Sequence, residues 1–191
     1  NFVILRLMKY LFFIGIFFVN LGFSQTWEDY VDKAVKAKGS EDLIGAHYYY
    51  TKAIEISPTS EKSITTNLYW ERMMVTFSKN DFTNVLRESI DVVNVFMQIL
   101  DKIYQIRNND IEKFNELKKK WDESMSLVYM IKAITMEEME NAKLKYDIRK
   151  YCTKCDNVIQ AVYYNKEYST ALSKFGCGRE EIDNWGKSCK S

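Results

Sequence analysis

Proline and glycine are scarce, with Pro58 the single proline and only seven glycines in 191 residues. Hairpin-rich and loop-rich folds draw on both residues for their turns, so the shortage argues against those classes and for mostly helix. Histidine is nearly missing too, with His47 standing alone. The chain has no HExxH pair, no glycine-rich phosphate loop and no Ser/His/Asp set, and no cofactor is expected from it. Blocks of one charge sign are also lacking. The 27 Lys+Arg and 26 Asp+Glu are interspersed, which argues against a nucleic-acid partner. One basic run, Lys118-Lys119-Lys120, lies within ELKKKWDE among acids at helical spacing and reads as a solvated helix face.

What is present begins with an apolar N-terminus, NFVILRLMKYLFFIGIFFVNLGFSQ. Met8-Lys9 opens a short basic region, Tyr10 to Val19 forms an apolar core, and Gly22-Phe23-Ser24 sets small residues where a signal peptidase cuts. Residues 1–24 are therefore expected to be an export signal, with 1–7 upstream of the true start. An uncleaved membrane anchor is the competing reading, although Arg6 and Lys9 interrupt the run. Cleavage leaves no membrane association and takes the formal charge from +1 to −1 through loss of Arg6 and Lys9. The expected location is periplasmic or extracellular, as for an exported bacterial protein.

From Thr26 onward apolar residues recur at helical spacing, without a convincing alternating strand. Breakers divide the chain into expected helices 26–38, 41–57, 61–78, 81–106, 110–135, 137–155, 157–166, 169–175 and 179–189. Ser40, Ser60 and Asn109 are the expected N-caps of the second, third and fifth. The short Asn108-Asn109-Asp110 connection makes the two long helices an antiparallel pair.

A supersecondary unit also repeats. Ala34, Ala46, Tyr50, Ala53 and Pro58 align with Met73, Val85, Ser89 and Val92 at a period of about 39 residues, within the range of helical-hairpin repeats. The segment Trp27 to Pro58, and DLIGAHYYYTKAIEISP above all, resembles a tetratricopeptide (TPR) repeat. LYWERMMVTFSKNDFTNVLRESIDVV resembles a second copy, and Met130, Ala142 and Tyr146 hold the spacing of a third. This gives TPR-like hairpins over 25–100, and over 101–191 a long-helix and C-terminal region containing the degenerate third repeat. The implied fold is an irregular right-handed all-α array, and the implied function is non-enzymatic binding of a protein or peptide. In such repeats one face of the first helix lines the groove, which in the second copy carries Asn67, Trp70, Met74 and Phe77. The alternative occupant of that stripe is the chain's own segment 81–135. A permanent envelope-assembly component and, less favoured, a small carboxylate-dependent hydrolase are the other functional readings.

The remaining reactive side chains read mostly as structural. His47 has no carboxylate, serine or cysteine at helical spacing, and it follows the inward-facing Ala46, so a surface or interhelix position is expected. Consecutive Tyr48, Tyr49 and Tyr50 point about 100° apart, and only Tyr50 shares the Ala46/Ala53 face. Cys152, Cys155, Cys177 and Cys189 read as disulfide partners in an oxidising compartment, with three pairings open. Zinc binding and a CTKC redox pair fit less well, because the second cysteine pair is widely split and CTKC is expected at a helix end.

Overall fold

The computed structural model describes residues 25–58, 62–178 and 183. The segment 1–24 expected to be an export signal, the cap expected at Ser60 and Cys189 lie outside these residues. Among those described, the fold is all-α with no strand. Its elements are α1 (Trp27–Gly39), α2 (Leu43–Ile56), α3 (Lys62–Ser78), α4 (Phe82–Ile106), α5 (Ile111–Asn141), α6 (Ile148–Tyr151), α7 (Lys154–Tyr164), a 3₁₀ helix (Lys166–Thr170) and α8 (Ala171–Lys174).

Aspartates start three of these helices. Asp42, Asp81 and Asp110 each accept the backbone N–H three residues on, at 2.8, 3.4 and 2.8 Å. The caps expected at Ser40 and Asn109 are thereby displaced to the next suitable carboxylate, whose charge also suits the positive end of the helix dipole. Thr26 and Thr153 instead form reciprocal capping boxes with Asp29 and Asp156.

Helix ends rely on left-handed residues that are mostly not glycine: Glu41, Asn80, Lys143 and Cys152 have φ of 56–69°, as does Gly176. At α1 the Asp42 N–H reaches back to the Ala37 carbonyl at 2.9 Å, and at α5 the Leu144 N–H reaches Met139 at 2.8 Å, which closes the last turn of each helix. Because Lys143 rather than glycine marks the second of these stops, the expected helices 110–135 and 137–155 are corrected. One 31-residue helix runs through position 136 to Asn141, and a turn and loop follow. Ala142 and Tyr146, expected on the second helix of a third repeat, fall in that turn and loop.

Each helix packs on its neighbour in the chain from α1 to α5, and α5 then packs on α7. The register positions Ala34, Ala46, Ala53, Met73, Val85, Ser89 and Val92 are all fully buried, and Tyr50 is buried beside them. Alanines admit the neighbouring helix closely while Tyr50 fills the space between them; Tyr48 is exposed. The core is consequently a relay of clusters. Ala34, Ala46, Tyr50 and Leu68 join α1 to α3, then Met73, Val85, Val92 and Val128 join α3 to α5. Ile103, Phe114 and Trp121 follow along the α4–α5 pair. Residue 100, the expected boundary, lies inside uninterrupted α4, so no break in the fold occurs there.

The tail is held covalently. Cys155, the second residue of α7, is bonded to Cys177 just beyond α8, with Cα atoms 5.4 Å apart. CTKC joins a helix end to a helix start: α6 stops at Tyr151, Cys152 takes the left-handed conformation just beyond it, and Thr153 caps α7, on which Cys155 lies. No free cysteine occurs among the described residues. Reducing the 155–177 bridge, which closes a separation of 22 residues, is expected to lower stability by about 2–3 kcal/mol through the entropy returned to the unfolded chain. Urea unfolding with and without reductant, compared with the same pair of measurements on Cys155→Ser, checks this; an unchanged midpoint would count against it.

Lys132 sits inside this core, on α5 between Val128 and Met136, and is only 6% exposed. Its Nζ lies 5.1 Å from the Tyr129 ring centroid, and among the described residues no carboxylate pairs with it. Burial pulls its ammonium down to about 8. Since the unfolded chain holds this proton more tightly, stability should rise as pH increases from about 8 toward the ordinary lysine value, and the burial penalty is fully present at pH 7. Lys132→Met is expected to stabilise the protein by about 2 kcal/mol at pH 7 and to flatten that alkaline rise, read from melts between pH 7 and 10.

Candidate functional site

Helix α3 presents two apolar sides because Tyr69, Met73 and Thr76 lie one residue before Trp70, Met74 and Phe77 at helical spacing. The first side meets α4: Met73 and Thr76 are buried, and the Thr76 hydroxyl donates to Glu88 at 2.9 Å. The second side divides. Met74 and Phe77 are half-buried within the cluster that includes Val85, Val92, Val128 and Ile131, and Phe77 meets Phe82 edge-on at 6.3 Å. The chain's own α4 and α5 occupy that part of the stripe.

At the other end of the stripe, coverage is incomplete. Asn67, which is exposed, and half-buried Trp70 line a hollow of about 210 Å³ with Phe96 from α4 and Ser124 and Leu127 from α5. Leu127 is 42% exposed, so the hollow has an apolar wall open to solvent. Two of the four candidate binding residues are therefore brought together, and two serve in packing. Phe96, Ser124 and Leu127 were not legible from a repeat register, because they come from helices outside the α3 stripe.

Charges on α3 and α5 outside the hollow's lining are already engaged. Glu71 takes the Lys38 ammonium at 2.8 Å, Lys120 donates to Glu116 at 2.6 Å, and Glu123 lies 3.9 Å from Lys119. Lys118 donates to both oxygens of Asp122. Each lysine of the basic run thus has a carboxylate on its own helix, as the spacing suggested. What the hollow itself offers is an uncharged lining, with Asn67 and Ser124 beside the apolar wall of Trp70, Phe96 and Leu127.

The second constellation surrounds His47. Its Nε2 is 2.9 Å from Oε1 of Glu88, which is 2% exposed; a carboxylate only accepts, so the imidazole carries its proton on Nε2. The carboxylate that α2 does not place at helical spacing from His47 is supplied from α4 across the packed helices. Arg72 Nε lies 3.4 Å from the same oxygen, close enough to pair but not directed for a hydrogen bond, and Arg72 Nη2 reaches Asp91 at 3.3 Å. Burial pushes the Glu88 carboxyl up, but the His47 hydrogen bond, the Arg72 charge and the Thr76 hydroxyl together outweigh it, and the net position is below the usual carboxylate value. The imidazole is 30% exposed in this network, so His47 links α2 to α4 from an interhelix position.

The helix-borne acids also find structural partners. Glu137 and Glu140 both accept from Lys154 at the start of α7, and Tyr146 donates to Glu140 at 3.0 Å. No group of three metal-ligating side chains is present among the described residues, and no described helix is long and apolar enough to cross a membrane.

Fold and site together define an all-α protein of serially packed helices with an open apolar hollow between its third and fifth helices. In comparisons with known proteins, no family model, no curated protein and no solved structure matches this chain.

Proposed function

We propose that this chain is an exported, non-enzymatic TPR-like protein that binds a partner peptide through the hollow at Trp70. The observation that carries the reading is that hollow: Trp70, Phe96 and Leu127 from three helices, open to solvent, with no charged side chain in the lining. Its occupant is a peptide segment presenting one uncharged apolar side chain, because a volume of about 210 Å³ admits a single large residue and the lining holds no charge to attract an acid or a base. Burial of the register positions in the first two hairpins supports the repeat resemblance. The signal-like N-terminus and the 155–177 bridge support export.

For the test, a native partner is isolated by photo-crosslinking from position 67 and then reconstituted with purified protein. Trp70→Ala is expected to weaken the complex by about thirtyfold, as for an aromatic anchor at an interface centre, while Lys79→Ala, just beyond the C-terminal end of α3, leaves it unchanged. Equal affinity of the Trp70 variant and wild type would defeat the site.

A permanent assembly role has its own support in Met97, Tyr104 and Ile111, which are 45–55% exposed on the α4–α5 pair, with Met97 and Tyr104 on one stripe. That reading expects a complex that survives Trp70→Ala and is lost in Met97→Asp, Tyr104→Asp.

A further inference from the structure

Away from the hollow, α5 and the junction of α7 with the 3₁₀ helix enclose a cleft of about 330 Å³, at the lower end of the range of small-molecule sites. Its back wall is held in place by the protein itself. Tyr164 stands edge-on to Trp121 at 5.4 Å and stacks beside Tyr129 at 6.0 Å. Lys118 is fixed by both oxygens of Asp122 and by the Trp121 ring 5.1 Å away. Asn165 uses its side-chain oxygen to accept the Glu167 N–H at 3.0 Å, which directs its amide donors elsewhere.

The front edge keeps hydrogen-bonding capacity of both kinds. The Asn115 amide both donates and accepts, the Asn165 amide donates, and the Glu123 and Glu167 carboxylates accept. Burial pushes the Tyr164 phenol up, which keeps it a neutral hydroxyl.

We propose that this cleft binds a small neutral polyhydroxylated ligand, a saccharide unit of one or two rings. Charge decides against the other classes. Two ammonium groups face three carboxylates, and both ammonium groups already have acidic partners, so an anion such as phosphate meets net repulsion. A metal ion lacks a set of three ligating side chains among the described residues. An apolar ligand would strip water from the Asn115, Glu123 and Glu167 side chains without replacing their hydrogen bonds. Vicinal hydroxyls, each able to donate and accept, match a wall that mixes amides, carboxylates and a phenol, and a fixed wall limits the ordering entropy of binding.

The test titrates the ¹⁵N-labelled full chain with glucose, galactose, mannose, N-acetylglucosamine and their β1,4-linked disaccharides, to about 50 mM. At least one sugar should shift the Asn115 and Asn165 side-chain amides saturably, with a Kd of about 1 mM. Asn115→Ala and Glu167→Ala, both at exposed positions, should each weaken that sugar by about fivefold or more. Three results overturn the proposal: no saturable shift with any sugar, equal binding by the variants, or inorganic phosphate moving the same amides at equal or lower concentration.

Discussion

Trp121→Ala is expected to lower the free energy of unfolding by about 4 kcal/mol. The indole is 4% exposed and sits where three helices meet. Its Nε1 donates to the Phe96 carbonyl of α4 at 2.8 Å, its edge contact is Tyr164 of α7, and Leu117 and Met125 belong to the same cluster on α5. Truncation removes the largest apolar side chain in that cluster and leaves a cavity that three helices, each already packed on another neighbour, are poorly placed to close. Trp121→Phe should recover more than half of the loss, since it restores most of the volume and forfeits chiefly one hydrogen bond of about 1 kcal/mol. Urea titration followed by helical circular dichroism reads both values. A loss below about 1 kcal/mol for the alanine variant, with an unchanged slope, would show that the junction is not a keystone of the fold.

Glu88→Ala is expected to cost a similar amount, about 4 kcal/mol, for an electrostatic reason. Removing the carboxylate strands Arg72, whose side chain is 13% exposed, leaving it the half-exposed Asp91 as its carboxylate and the Tyr69 ring, and also deprives His47 of its acceptor, while the Thr76 hydroxyl keeps the Arg72 carbonyl. The pH dependence identifies the cause. Because the Glu88 carboxyl lies below its ordinary value when folded, its contribution is complete above the unfolded value of about 4.3 and declines as pH falls through the lower folded value. The stability gap between wild type and Glu88→Gln should therefore be constant from pH 7 to about pH 5 and narrow toward pH 3. A gap that held steady to pH 3 would assign the loss to packing instead.

How far the fold could be read in advance depended on which residue did each job. Amphipathic spacing marked α1 to α4 to within two residues because the apolar residues there obey one helical period between breaks that contain Gly, Pro, Asn or Asp. The stop after Asn141 went unread because Lys143, with a side chain that gives no hint of positive φ, takes the left-handed position usually held by glycine. Up to that stop nothing interrupts the backbone: Thr135 sends its hydroxyl to the Ile131 carbonyl at 2.7 Å, and Met136 and Met139 remain buried. The same missing signal at Cys152 hid the new helix that begins within CTKC, so that Cys152 follows one helix end and Cys155 lies at the next helix start.

The candidate site divides in the same way. Helical spacing put Asn67, Trp70, Met74 and Phe77 on one stripe of α3, a local property that needs no knowledge of the other helices. Which part of the stripe stays open is a question of how far α4 and α5 extend over it, and that depends on packing between different helices, such as that which sets Trp70 beside Phe96 and Leu127, beyond any one helical turn. His47 gives the sharpest case. Its own helix offers no carboxylate at helical spacing from it, and Glu88 lies 41 residues away, so only the packing of α2 against its neighbours could make them a pair.

By itself, the sequence determined the helical class, the first helical hairpins, the buried alanine and tyrosine register, and the self-neutralised basic face of α5, because each follows from interactions within about one helical turn or from the turn residues between helices. The tertiary structure decided the Cys155–Cys177 pairing, the burial of Lys132 and Glu88, and the survival of an open hollow at Trp70. Those depend on which side chains distant segments bring within a few ångströms, where burial and pairing set the energies and spacing along the chain no longer does.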